Sequence, residues 1–415
     1  MKNCVVLLVV VAASIAMSFQ NADSRNSLIK WNSEWRGHVY PSEQLVTTDS
    51  VSGAKIIFAT TNPAKDMNFY FDWNCWFKDQ SCMFFTSDRR GKTELFGYIP
   101  KTGELVCFSP DSTAVNYWFA TVDFESHDVY VTGNNSVNAW HIDLRFNRDS
   151  SRVESVTIKE RIIATAPEGA HYISALSESA DCKFLSVATS PNNNTTHKEI
   201  LAVSIDSGKS SLLYSLESSV PLTHIQFNKY NPYLLRFSYD APKLPDIHRM
   251  WVVDTRKPGQ AEKIHLQETG ELVTHEDWWI NDQLTFCGGY LKEESDVKLV
   301  SIHDQKTRII GKGAWWDSGS PEEISKYNWW HASGARDGKW VATDNWHGRI
   351  AIIDMRTSHL RLLTTNHRIY GRGEHPHVGW APDSKSVEFT SNRRGNADVV
   401  IAYLPLEKWE QPFDE

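Results

Sequence analysis

From about residue 65 onward the chain is a succession of short β-rich runs of apolar and polar residues, broken at close intervals by polar turns. Phe84–Pro100 reads FFTSDRRGKTELFGYIP, and Glu388–Pro405 reads EFTSNRRGNADVVIAYLP. Each is a β-rich run, a polar Asp/Asn-Arg-Arg-Gly turn and a second β-rich run ending in proline. Glycine behind polar residues marks a hairpin, because the turn needs a positive φ. Weaker copies lie between them: Leu234–Asp254 ends in MWVVD, Gln283–Asp304 in VKLVSIHD and Gly338–Asp354 in RIAIID. The unit is strand, turn, strand, turn, strand, with a period of roughly 45–55 residues, and no useful helix-period segment interrupts it.

Several strands per unit at that period predict an all-β protein, a seven-bladed β-propeller. The blades are expected to start near residues 68, 113, 168, 221, 272, 328 and 373, with a strand from residues 28–62 closing the ring against the last blade. Two tandem β-sandwiches are the structural alternative, but sandwiches have no reason to repeat one turn at so great a distance. A propeller is a scaffold and by itself assigns no chemistry.

The chain has 415 residues, 41% of them hydrophobic and 23% charged, which is globular composition. Its 43 basic and 51 acidic residues give a net charge of −8 without a long run of either sign, so no basic face for nucleic acid is expected. Met1 and Lys2 precede an apolar run from Cys4 to Phe19, the pattern of a secretory signal over residues 1–23. Spanning a membrane takes about twenty apolar residues, more than this run offers. The expectation is an exported, secreted or periplasmic protein, not held in a membrane after cleavage, with residues 24–415 forming one domain. Without Cys4, five cysteines remain and none lies in a CxxC pair, which argues against a zinc ribbon or a disulfide scaffold. Cys75 and Cys82 flank a turn at Lys78-Asp79-Gln80 and are close enough in sequence to pair; buried free thiols fit equally well. Asn134-Asn135-Ser136 and Asn193-Asn194-Thr195 are glycosylation acceptors if the source is a eukaryote.

The composition is unusual in its 17 Trp and 16 His, residues suited to sugar stacking and to metals or proton transfer. Glu374-His375-Pro376-His377 is the strongest cluster. Residues two apart on a strand point to one side, so His375 and His377 can present both imidazoles to one ion. His331 stands at the corresponding start of the preceding blade and His275 in the blade before that. Equivalent positions of successive blades gather at one end of the central channel, which brings these four together. The plain alternative is a set of ordinary strand-end histidines capping backbone groups. Strand alternation also predicts that one Trp of each pair (Trp278-Trp279, Trp315-Trp316 and Trp329-Trp330) packs between blades while the other faces the cleft, with Trp330 placed to meet a sugar.

Between about residues 65 and 405 the chain resembles the oligogalacturonate lyases, seven-bladed propeller enzymes that cleave short uronate chains by β-elimination. The resemblance is carried by His275-Glu276, by His331 followed by Asp337-Gly338, by His375-Pro376-His377 and by FTSNRRG at 389–395. His224-Ile225-Gln226-Phe227 and Arg249-Met250-Trp251 add to it in order and spacing. It implies a divalent ion, commonly manganese, held by His331, His375 and His377. It also implies His275 as the base that takes the C5 proton and Arg249 as its charge-stabilising partner. β-Elimination needs a cation at the uronate carboxylate, because the C5 proton is not acidic until that charge is offset, and a base suited to the working pH.

Two positions depart from the family. Arg372 stands where the family has a glutamine ligand, and a guanidinium cannot ligate a cation. Either the ion keeps three histidines, or Arg372 itself neutralises the substrate carboxylate. Ser238-Tyr239-Asp240-Ala241 replaces a Cys-His-Glu-Gly run, with Tyr239 a further candidate for proton transfer. Arg372, His224 and Trp330 are then the expected substrate contacts. The expected activity is a lyase acting on an anionic oligo- or polysaccharide, oligogalacturonate by default, with ulvan or another glucuronate polymer in competition. The alternatives are a non-catalytic propeller that binds glycans or proteins, and a glycoside hydrolase, whose paired carboxylates are not evident.

Overall fold

The computed structural model describes residues 35–111, 115–133, 135–240, 248–290, 295–313, 328–345, 347–367 and 375–409. Residues 1–23, expected as a signal, and Trp315, Trp316 and Arg372 lie outside them.

Seven antiparallel sheets make the blades of one ring. The innermost strands begin at residues 66, 115, 170, 222, 271, 331 and 379, each within six residues of the start expected from the sequence. The first blade shows the pattern: Asp66–Asn68, Met83–Ser87, Glu94–Tyr98 and Leu105–Cys107, ordered from the channel outward. Its middle hairpin turns at Gly91 with φ +82°, and the matching hairpin of the seventh blade turns at Gly395 with φ +89°. Both need the left-handed backbone that glycine adopts without penalty.

Closure uses more of the N-terminal segment than one strand. Lys55–Phe58 pairs with Asp398–Tyr403 of the seventh blade, Ile57 opposite Ile401, and Leu45–Thr48 adds outside it. Past Tyr403 the chain enters a short helix, Leu406–Trp409, so both outer strands of that blade must come from the other end of the sequence. Val39–Tyr40 then lies along Leu105–Cys107 of the first blade. One segment thereby fastens the blades on both sides of the seam.

The core lies between blades, because a single sheet cannot cover both of its own faces. Trp340, Ile352, Phe389 and Val400 pack the sixth blade on the seventh, and Trp279, Val297, Val341 and Ile353 the fifth on the sixth. Cys75, Cys82, Cys107, Cys182 and Cys287 are all free thiols. Cys75 donates from Sγ to Glu388 Oε1 at 3.3 Å instead of pairing with Cys82.

Candidate active site

Inner strands of the fourth and fifth blades are not regular. Each shifts register over two residues, between Thr223 and Gln226 and between Thr274 and Asp277. Such a bulge re-aims side chains. His224 and His275 sit on the two bulges with φ of +51° and +55°, and His377, just before the inner strand of the seventh blade, has φ +49°. Left-handed non-glycine backbone is sparsely populated and collects where a side chain has to be aimed. All three rings are aimed at one end of the channel.

There the rings meet. His275 lies 4.3 Å from His331 between centroids, His331 4.7 Å from His377 and 5.9 Å from His375, and His375 5.4 Å from His377. His224 joins from the fourth blade, 6.1 Å from His275. His331 is fully buried, and both oxygens of Asp344 receive its Nδ1, at 2.8 and 3.0 Å. Asp344 is its direct partner in strand register and also accepts from the Val378 amide of the next blade. His331 Nε2 and His377 Nδ1 are buried and, among the described residues, have no hydrogen-bond partner. Burial, then the neighbouring His331, brings His375 down to about 4, and the same two causes hold His377 well below the usual imidazole range. His275 is also held well below it, by burial first and then by His331 and His224. Clustered, desolvated imidazoles repel protons, which leaves ring nitrogens open as ligands or bases.

Three imidazoles, one backed by a carboxylate, form a donor set that fits a divalent ion of intermediate softness. The unpartnered buried nitrogens of His331 and His377 are what such an ion would satisfy. The three rings stand wider than a closed site. Among the described residues, the one group of His, Cys, Asp or Glu donors mutually within 4.8 Å is Asp123, Glu178 and Cys182.

Arg249 is buried beneath the histidines. Its Nε donates to Glu276 Oε1, and Nη1 reaches the Tyr239 carbonyl and Asp240 Oδ1, each at 3.4 Å. Glu276 also accepts from Ser238 at 3.0 Å and lies 3.8 Å from Arg236, which donates to Asp72 at 2.6 Å. Burial alone would raise the Glu276 carboxyl; Arg249, His224 and Arg236 together outweigh it and hold the group at about 2. Asp72, Arg236, Glu276 and Arg249 thus alternate in sign and tie the first, fourth and fifth blades together under the site.

Tyr70 went unnoticed in the sequence. Its ring lies 4.7 Å from His377, 5.4 Å from His224, 5.7 Å from His331 and 6.3 Å from His275. Phe71 follows it, 5.0 Å from His331, and Asp72 then reaches Arg236 and His224. The run Phe69-Tyr70-Phe71-Asp72-Trp73 continues the first blade's inner strand across the channel. Five aromatic or acidic residues directly after an inner strand were the available signal.

Of the expected site residues, His224, His275, His331, His375 and His377 come together. Trp330 joins them, 5.0 Å from His275, while Trp329 packs in the core with Nε1 bonded to the Lys312 carbonyl. Trp278 and Trp279 do not divide in that way. Both are buried, one bonded to the Gln226 carbonyl and the other to that of Ala335, in the blades on either side. An inner propeller strand is covered on both faces, so alternation does not send every second residue to the cleft. Tyr239 is not brought to the histidines: its ring packs against Phe237 and Trp251, and only its backbone meets Arg249.

No family model matches the chain, and no curated protein matches it by sequence. Solved structures do. An oligogalacturonate lyase from Vibrio parahaemolyticus superposes with a TM-score of 0.72 at 16% identity, over 90% of this chain and 99% of that one. An oligogalacturonate lyase in complex with manganese gives the same score and identity, over 90% of this chain and all of the other. The chain is a seven-bladed propeller with the fold of the oligogalacturonate lyases.

Proposed function

We propose that the protein is a lyase that cleaves uronic-acid-containing oligosaccharides by β-elimination. The observation that carries this reading is the convergence of five histidines from four blades on one mouth of the channel, with His331 Nε2 and His377 Nδ1 buried and unpartnered. Oligogalacturonate is the substrate the structural neighbours favour.

His331, His375 and His377 would hold a divalent ion, for which manganese is the candidate because one neighbour contains it. Bound there, the ion supplies positive charge for the uronate carboxylate, which acidifies C5–H. The chain's own groups do the rest. Thr274 Oγ1 occupies His275 Nδ1 at 2.9 Å, which leaves Nε2 as the atom that takes the C5 proton. The C4–O4 bond breaks as the C4=C5 double bond forms, and O4 leaves as a hydroxyl once protonated. Tyr70, whose phenol burial keeps well above its ordinary value and therefore protonated, stands among the histidines, 6.3 Å from His275, as the donor for that step. Trp330 offers a flat face to the sugar beside His275. Arg249 lends its charge from below, fixed by Glu276. The apolar run from Cys4 to Phe19 behind Lys2 supports export as the cellular setting.

Incubation with oligogalacturonate, ulvan and other uronate polymers, followed by the absorbance of the unsaturated uronate, tests the proposal. Growth of that absorbance, removed by chelator and restored by manganese, is the expected result. Reducing sugar without it would instead indicate a hydrolase, and no product on any substrate a binding protein.

A further inference from the structure

The other mouth of the channel is closed from the histidines by Tyr70–Trp73 and holds a pocket of its own. The turns leaving the inner strands share one geometry: the amides of Asp123, Ser179, Asn228 and Ala335 each return to a carbonyl early in the next strand, those of Asp128, Phe184, Leu234 and Trp340. The residue after that amide points the same way in each turn. In the second, fourth and sixth blades it is Phe124, Lys229 and Arg336, and all three line the pocket together with Trp73 and Glu178.

Arg336 stands out among them. Its guanidinium lies 3.5 Å from the centre of the Phe124 ring, and among the described residues it makes no hydrogen bond and no ion pair. The acids around it are already committed. Asp72 is held by Arg236, and Asp277 by Lys229 at 2.8 Å and Ser333 at 3.0 Å. Asp123 accepts from the Tyr130 hydroxyl and from the amides of Glu125 and Ser126. Burial, then the adjacent Asp123, pushes Glu178 up to about 9, so it carries a proton at neutral pH. Arg336 therefore brings into the pocket a guanidinium that no described carboxylate grips, a planar fork laid against an aromatic face. That arrangement matches a carboxylate, which a guanidinium can take in two parallel hydrogen bonds.

We propose that this second mouth binds a small carboxylate-bearing molecule on Arg336, between the rings of Phe124 and Trp73. The nearby trio of Asp123, Glu178 and Cys182 already has partners within the protein: Asp123 accepts from Tyr130, Glu125 and Ser126, and Glu178 accepts from the Phe124 amide.

Calorimetric titration of the full chain with galacturonate and with acetate, using galactose as the uncharged control, tests the assignment. In the unaltered protein and in His331→Ala, both acids should bind and galactose should not. Arg336→Gln should weaken that binding at least tenfold, and Arg336→Lys by less, since an ammonium keeps the charge but loses the fork. The melting temperature of Arg336→Gln without ligand should hold or rise, because an unpaired, partly buried charge has been removed. Undiminished binding in Arg336→Gln, or galactose binding as well as galacturonate, would overturn the proposal. So would stoichiometric uptake of manganese or zinc that Cys182→Ser abolishes.

Discussion

Asp344 holds His331 by both carboxylate oxygens, at 2.8 and 3.0 Å from Nδ1, and so turns Nε2 toward His377 and the mouth of the channel. The two residues face each other in strand register, so the backbone itself fixes the geometry. A carboxylate behind a histidine sets its tautomer and raises its basicity as a ligand. Asp344→Asn should therefore weaken divalent-ion binding about 10- to 100-fold. The manganese-dependent rise in melting temperature measures this without reference to turnover; an unchanged titration would mean that His331 is not a ligand.

His275 makes a separate claim, about protons. Asparagine tolerates the left-handed backbone at this position, where φ is +55°, so His275→Asn removes the imidazole with little strain. Turnover should fall by at least about 100-fold, the usual span of one general base, with melting and manganese affinity unchanged. Tyr70→Phe should lower kcat and leave the melting temperature in place. If His275→Asn retains full activity, the base is elsewhere.

How legible these features were depended on how local their physics is. Gly91 and Gly395 announced their turns because glycine takes that left-handed backbone at no steric cost, and the seven inner strands followed from the spacing of such turns. The histidines were legible because equivalent blade positions converge whatever the details. Tyr70 was less so: the aromatic and acidic run after Asn68 is the local signal, but it does not by itself say that the chain crosses the channel there. The alternation expected for Trp278 and Trp279 failed because blades cover both faces of that strand. Tyr239 was drawn in by its place in a motif, whereas packing against Phe237 and Trp251 decides where its ring goes.

Glu388 predicts how stability responds to pH. It is buried in the seventh blade, where Trp76 Nε1 donates to it at 2.9 Å, and burial pushes its carboxyl up to about 7 from an ordinary 4.5. The folded state thus binds a proton that the unfolded state has released. The stabilising contribution is complete below pH 4.5 and is lost as pH rises through about 7. One such group gives a slope of up to about 1.4 kcal/mol per pH unit across that window. Glu388→Gln keeps an acceptor for Trp76 and removes the titration. Denaturant unfolding between pH 4.5 and 7 should show a flatter stability profile in the variant. Parallel profiles would mean that the Glu388 carboxyl titrates alike in the folded and unfolded chain.

Arg249 and Glu276 separate structure from chemistry. Both are fully buried, and Arg249 is the largest of the neighbours that keep Glu276 ionised. Arg249→Met leaves that carboxylate to Ser238 and the more distant Arg236, and breaking one half of a buried pair costs about 3–5 kcal/mol. The melting temperature of the single variant should drop accordingly. Changing both, Arg249→Met with Glu276→Leu, removes the stranded charge and should recover much of the loss, although Ser238 and Arg236 lose an acceptor. Activity then gives the decision. A folded double variant that binds manganese but no longer turns over uronate assigns Arg249 a part in stabilising the charge that develops at the substrate. A double variant as active as the parent reduces the pair to a fastening between the fourth and fifth blades.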